Sequence, residues 1–223
     1  MQLTKEYGDE RDRYRFMLQE FGRELSRSEQ VIDFGCRANR LKRKLDVEVI
    51  GVDKEPDRCL DLIMDLEDPE SIRKIGGLTE GRKTSAVMSH VLEHLRNPKE
   101  ILEAVSRYVE DYLLIVLPNE KAWIHRYLFT FKHRGDTWKF KPEPPHHKHK
   151  WQFEIDTARR FCRETLSDNF VLKQERLPSQ KLANGRIHTK TAKFFIDRVA
   201  PDSLRARDWW GLFKNRRADI KDG

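Results

Sequence analysis

Apolar positions along the chain change their period several times, and each change marks an element. Between residues 3 and 25 they recur at helical spacing among charged neighbours (Tyr14, Met17, Leu18, Phe21, Leu25), which predicts an amphipathic helix. From Val31 the pattern shortens. "VIDFG", "VEVIGVD", "CLDLIMDL", "TSAVMS" and "YLLIVLP" are brief runs dense in apolar and β-branched residues, and each reads as a strand. Between them "RLKRKL" predicts a short helix, and "DPESIRKI" a helix capped by Asp68 with Pro69 at its first position. "NPKEILEAVSRYV" predicts a helix capped by Asn97. Later, "DTARRFCRETL" predicts a helix, while "FVLKQERL" and "TKTAKFFIDRV" predict two strands that suit a hairpin at one edge.

Strands that are apolar throughout, alternating with helices, need cover on both faces. The expected fold class is therefore α/β, a doubly wound, Rossmann-like, mostly parallel sheet of seven strands with helices on both faces. The 223 residues suffice for a single domain of this kind, with a helical segment over 1–28 and a tail over 200–223. Ligands of such sheets bind beyond the carboxyl ends of the strands, near the switch in strand order. That rule selects Asp33–Asn39, Asp53, Asp65, Ser89–His94 and Pro118–Asn119.

Charge adds a location. The net +7 is concentrated between Lys121 and Lys150, where eight Lys/Arg face only Asp136 and Glu143. The same stretch holds five of the eight histidines and the aromatics Trp123, Tyr127, Phe129, Phe131, Trp138 and Phe140. A localised cationic and aromatic segment, 119–151, suits a cover over an anionic substrate. Stacked nucleotides and peripheral contact with a membrane surface fit the same composition, as does plain packing of the aromatics. "YLLIVLP" is far too short to span a bilayer, and the charged N-terminus does not resemble a signal peptide. Cys36, Cys59 and Cys162 show no CxxC spacing and read as reduced thiols, so the expected location is cytoplasmic.

Two acids stand where a nucleoside would need them. Asp53 ends the second strand 18 residues after Gly35, and a carboxylate there can accept from both ribose hydroxyls; a turn cap is the plain alternative. Asp65 ends the third strand and can accept from an adenine amino group or cap the next helix. The fourth strand is the most specific feature, "AVMSHVLEHLRNPKEILEAVSRYV". With "VIDFGC", "VIGVD", "IMDLED" and "LLIVLPNE" in the right order, residues 31–119 resemble the class I S-adenosylmethionine-dependent methyltransferases, in particular the type 11 grouping. The following "PNEKAWIHRYLFTFKHRG" loosely resembles the MetW-like members.

The resemblance implies S-adenosyl-L-methionine as cofactor. Asp33, Gly35, Cys36 and Arg37 would line its methionine end, Asp53 and Lys54 the ribose, Asp65 and Leu66 the adenine, and Ser89 and His90 the sulfonium and substrate. His90 and His94 are the candidate acid–base residues. Taken with the basic segment, the expected activity is methyl transfer to an oxygen or nitrogen of an anionic small-molecule or polymer-linked acceptor. Two alternatives remain at this point. One is an RNA 2′-O-methyltransferase, in which His90, Glu93 and His94 at helical spacing, with His146, His147 or His149, would hold a metal as the small-RNA enzymes do with a Glu in place of His90. The other is a degenerate, non-catalytic subunit, because this chain has G-C-R-A-N where the family commonly has G-C-G-x-G, with Arg37 and Asn39 replacing glycines.

Overall fold

The computed structural model describes residues 10–57, 59–119, 122, 150–179 and 201–218. Seven strands form one sheet: β1 (Gln30–Phe34), β2 (Glu48–Asp53), β3 (Leu62–Ile63), β4 (Thr84–Ser89), β5 (Tyr112–Pro118), β6 (Phe170–Arg176) and β7 (Asp208–Asn215). Their order is β3-β2-β1-β4-β5-β7-β6. The first five run parallel, and β7 is antiparallel to both β5 and β6. Every residue of β1, β4 and β5 is buried, which is why these strands read as unbroken apolar runs. The order of the strands reverses between β1 and β4, opening a crevice at their carboxyl ends.

Alternation along the strands splits the core in two. Ile32, Phe34, Met88, Ile115 and Trp209 pack with α2 (Pro69–Thr79), α3 (Pro98–Ser106) and α4 (Ile155–Leu166). Val31, Val87, Leu114, Val116 and Trp210 pack with α1 (Glu10–Leu25) and with Leu41 and Leu45. Trp210 stands between Phe16 (ring centroids 5.0 Å apart) and Phe21 (5.9 Å, stacked), and such pairs add about 0.5–1.5 kcal/mol each beyond burial. Pairs of this kind hold α1 across the sheet. Among the described residues no helix is long and apolar enough to cross a membrane.

Several predicted elements shift. Residues 40–45 form turns, not a helix: Leu41 and Leu45 are buried, but four cations in six residues leave too little apolar face for a helical turn to stand on. The third strand shrinks to two residues because Asp61, inside the predicted run, turns its carboxylate back to the Gly51 N–H. Asp68 caps α2 through the N–H groups of Glu70 and Ser71, as the sequence predicts. Asn97 sits at the cap of α3 without bonding through its side chain; Pro98 starts that helix, which ends at Ser106. The largest change is at the end of the chain. The partner of β6 comes from the segment expected as a tail, while Thr189–Val199, predicted as that partner, lies outside the described residues. A short helix, α5 (Asp202–Arg205), precedes β7.

Candidate active site

The turns at the carboxyl ends of β1 and β4 carry most of the backbone strain. Gly35 (φ 67°), Arg37 (φ 51°), Asn39 (φ 41°) and His90 (φ 58°) all adopt left-handed conformations, three of them without being glycine. Clustered strain of this sort persists where the surroundings hold it in place, and functional sites are its usual location. At Gly35 a side chain would also collide, since a Cβ would lie 2.5 Å from Val91 Cγ2. Arg37 directs its side chain to the surface, and its N–H donates to Asp53 Oδ2 (3.1 Å).

Asn39 is held in its left-handed conformation by contacts with β2 and the turn after it. Its Nδ2 donates to Asp61 Oδ2 (2.8 Å), which also accepts from Gly51 N–H (2.9 Å), while Lys42 pairs with the other oxygen. Burial works against the Asp61 charge, but the Gly51 N–H, Lys42 and the Asn39 amide outweigh it and hold the carboxyl below its usual range. The space for Asn39 comes from Gly51, where a Cβ would lie only 2.4 Å from Asn39 Nδ2.

Asp33, the fourth residue of β1, is wholly buried. Its carboxyl oxygens make no hydrogen bond within ordinary limits. Burial pushes its pKa up to about 8; the Arg13 charge and the Tyr14 hydroxyl pull it down, and the Asp53 charge pushes it up. Cys36 is buried and pushed up to about 12, first by burial and then by the Asp33 charge, so it is no nucleophile. Asp53 joins two turns, accepting from Arg37 at Oδ2 and from Glu55 N–H at Oδ1 (3.1 Å). Lys54 is exposed. Asp65 accepts from Glu67 N–H (2.9 Å), and Leu66 beside it is buried. Both acids therefore serve their turns, with lone pairs left over for a ligand.

At the end of β4, Ser89 is buried with an unbonded hydroxyl. His90 lies between two buried carboxylates, Nδ1 being 3.2 Å from Glu93 Oε1 and Nε2 3.4 Å from Asp208 Oδ1. Burial lowers the His90 pKa to about 4, Glu93 opposes that, and Arg13 and Arg207 add to it. Asp208 is pushed upward by burial. His94, more open, has its Nε2 4.0 Å from the same Glu93 Oε1. Leu92–His94 is a single 3₁₀ turn, so His90 does not share a helix with the residues after it. Among the described residues no three His, Cys, Asp or Glu side chains are arranged to hold a metal, and His146, His147 and His149 lie outside them.

Both ends of the basic segment are fastened here. Ala122 N–H donates to the Asn119 carbonyl (3.0 Å), while Lys150 and Trp151 N–H donate to the Glu93 carbonyl (2.7 and 3.1 Å). Asn119 in turn ties down the approach to β7, its Nδ2 donating to the Ser203 and Ala206 carbonyls (both 2.7 Å). The cationic and aromatic residues between, including His125 and most of the stretch with MetW-like character, lie outside the described residues.

The sequence reading missed Arg13, Tyr14, Asp61 and Asp208. Tyr14 was recognised as part of the apolar face of α1, but nothing in the helix marked which strand end that face would meet. Asp208 had a faint signal, an acid placed directly before two tryptophans.

A family model described as a methyltransferase domain matches residues 7–165. No curated protein matches the sequence. Among solved structures, a SAM-dependent methyltransferase from Archaeoglobus fulgidus superposes with TM-score 0.56 at 16% identity, over 92% of this chain and 94% of that one. One from Anabaena variabilis gives 0.51 at 13%, over 97% and 88%. The small RNA methyltransferase HEN1 gives 0.57 at 12%, over 97% of this chain but 27% of that protein. With the sheet order, the strained first turn and a family match over most of its length, the chain belongs to the methyltransferase-domain family, the class I S-adenosylmethionine-dependent methyltransferases.

Proposed function

We propose that the crevice between β1 and β4 binds S-adenosylmethionine and transfers its methyl group to an oxygen or nitrogen of an anionic acceptor. The observation that carries the cofactor half is Asp33, a wholly buried carboxyl at the switch point whose oxygens make no hydrogen bond of ordinary length, the Tyr14 hydroxyl and the Arg13 charge acting on it from farther off. A buried acid so weakly satisfied is costly to ionise unless a cationic ligand meets it, and an ammonium group fits. Asp53 and Asp65 keep free lone pairs for the ribose and the adenine, Gly35 and Cys36 supply backbone at the turn, and Lys54 and Leu66 border the nucleoside.

The bound cofactor supplies an electrophilic methyl group on a sulfonium, so the protein's work is alignment and exclusion of water. Ser89 and His90 border the acceptor. Where the acceptor must lose a proton, His90 takes it at Nε2, the ring nitrogen that faces the burial-raised Asp208 carboxyl at 3.4 Å, while Nδ1 faces Glu93. Its depressed pKa keeps it neutral and ready at pH 7. His94 acts one step away, through Glu93.

The anionic acceptor is supported by sequence and anchorage together: a segment of eight cations and two acids leaves the site at Asn119 and returns at Glu93. The test uses methyl-labelled cofactor with cell extract, followed by separation of RNA, protein and small-molecule fractions. Label in anionic small molecules or their polymer-linked forms, lost on replacing Lys132, Arg134, Lys139 and Lys141 with Ala while cofactor affinity holds, supports this reading. Label confined to RNA replaces it with the RNA reading, and no transfer to any fraction favours a non-catalytic subunit.

A further inference from the structure

Asp208 opens β7 directly across from Pro118, the last residue of β5, at the carboxyl end of that strand. It is held there firmly. Asn119 N–H donates to the Arg207 carbonyl (2.9 Å) and Arg207 N–H to the Pro178 carbonyl (2.8 Å), besides the two side-chain bonds of Asn119. Yet the Asp208 carboxyl, 1% exposed, makes no hydrogen bond of ordinary length. Arg207 Nε stops 3.6 Å from Oδ2, and His90 Nε2 stands 3.4 Å from Oδ1. A buried acid so poorly satisfied costs stability, and β7 pairs through its backbone without any need of that side chain.

The ring beside it has no nitrogen to spare. Nδ1 lies 3.2 Å from Glu93 Oε1, and Nε2, shut off from solvent, faces Asp208. A neutral imidazole offers one N–H and one lone pair, so it serves two carboxyls only if one of them keeps its own proton. Burial makes Asp208 that one, because its proton is held more tightly than usual. Glu93 then accepts from Nδ1–H. Of the other charged or titratable groups here, His94 stands 4.0 Å from Glu93, Arg207 flanks Asp208, and the Arg13 and Arg207 charges oppose a proton on the ring.

We propose that Asp208 passes the acceptor's proton to His90, and that the reacting group is therefore a hydroxyl or an N–H, the acceptor's negative charge lying elsewhere in its structure. This rests on the methyl-transfer reading above. The acceptor's hydrogen passes to Oδ2 while the hydrogen on Oδ1 passes to Nε2, so Asp208 ends neutral, as it began. The methyl carbon takes the place of that hydrogen, the pair of the broken C–S bond stays on sulfur, and the positive charge ends on the ring, facing Glu93. A carboxylate or phosphate oxygen has no hydrogen to give and would set a like charge beside Glu93.

Two experiments test the relay. Long-range proton–nitrogen NMR of the ligand-free protein at pH 7 should show His90 neutral with its hydrogen on Nδ1, in the wild type and in Asp208→Asn, whose amide still donates to Nε2. A hydrogen on Nε2 in the wild type, or a charged ring, overturns the assignment. The second experiment uses methyl-labelled cofactor with cell extract. The transferred label should resist mild alkali, as ethers and N-methyl groups do. Asp208→Asn should slow the transfer about a hundredfold or more while binding S-adenosylhomocysteine within about threefold of the wild type. Label released by alkali as methanol, the mark of a methyl ester, overturns the proposal, as does transfer by Asp208→Asn within about threefold of the wild type. No transfer by a wild type that shows the Nδ1 hydrogen is the failure of the methyl-transfer reading itself, and removes the relay with it.

Discussion

Binding of an ammonium group at Asp33 should expel a proton. With a pKa of about 8, the carboxyl is protonated in roughly nine molecules of ten at pH 7, whereas a cationic ligand requires the ionised form. Apparent affinity for S-adenosylhomocysteine should then rise about tenfold from pH 6 to pH 7, about 1.4 kcal/mol, and flatten above pH 8. Calorimetry at pH 7 in two buffers of different ionisation enthalpy reads the same event directly, as release of nearly one proton per ligand. Asp33→Asn should abolish both the release and the pH dependence. The ligand-free protein provides a second check. The folded pKa lies above the unfolded value of 3.8, so the native state holds more protons between about pH 4 and 8, and thermal stability should fall as pH rises through that window. Equal affinity at pH 6 and 7 with no proton release would refute the reasoning.

Gly51→Ala should cost about 1–3 kcal/mol in urea denaturation, because its Cβ meets the Asn39 amide at 2.4 Å, and Asn39→Gly in the same background should recover part of the loss. Strictly additive costs would show that this contact is not the cause. His90 should stay neutral to about pH 5 in histidine NMR titrations, with Glu93→Gln lowering its pKa further, since Glu93 is the group holding it up. Because burial places its folded pKa below 6.5, the stability involved is present above pH 6.5 and lost as pH falls towards 4. An imidazole assigned to His90 that titrates near 6.5 contradicts the buried site.

What could be read from the sequence was whatever depended on local chemistry. Pro69 after Asp68 starts a helix wherever it occurs, and the apolar runs of β1, β4 and β5 admit few environments other than the centre of a parallel sheet. The strand ends then located Asp33, Asp53, Asp65, Ser89 and His90 by rule. Pairing across long separations could not be read. Asn39 is tolerable only because residue 51 is glycine and residue 61 is an acid, and no local pattern joins the three. Asp208 reaches His90 from the far end of the chain, across more than a hundred residues. "DWWGLFKN" reads as part of a tail because its charged flanks, with Arg205, Arg207, Arg216 and Arg217, hide a short run that is buried over all but one residue. Its position between β5 and β6 is a property of topology.

That position has a consequence for how the protein is made. The far edge of β5 has no partner until β7 arrives, and β7 begins about ninety residues after β5 ends. At ordinary translation speeds of roughly 5–20 residues per second, a wholly apolar strand stays open for on the order of 5–20 s, with β6 also waiting for its place. An open edge of this kind is the usual template for wrong pairing between nascent chains. The first five strands with α1 to α3 must therefore persist as an incomplete sheet in the company of chaperones. Their own parallel pairings are the part of the fold that has to survive that interval unaided.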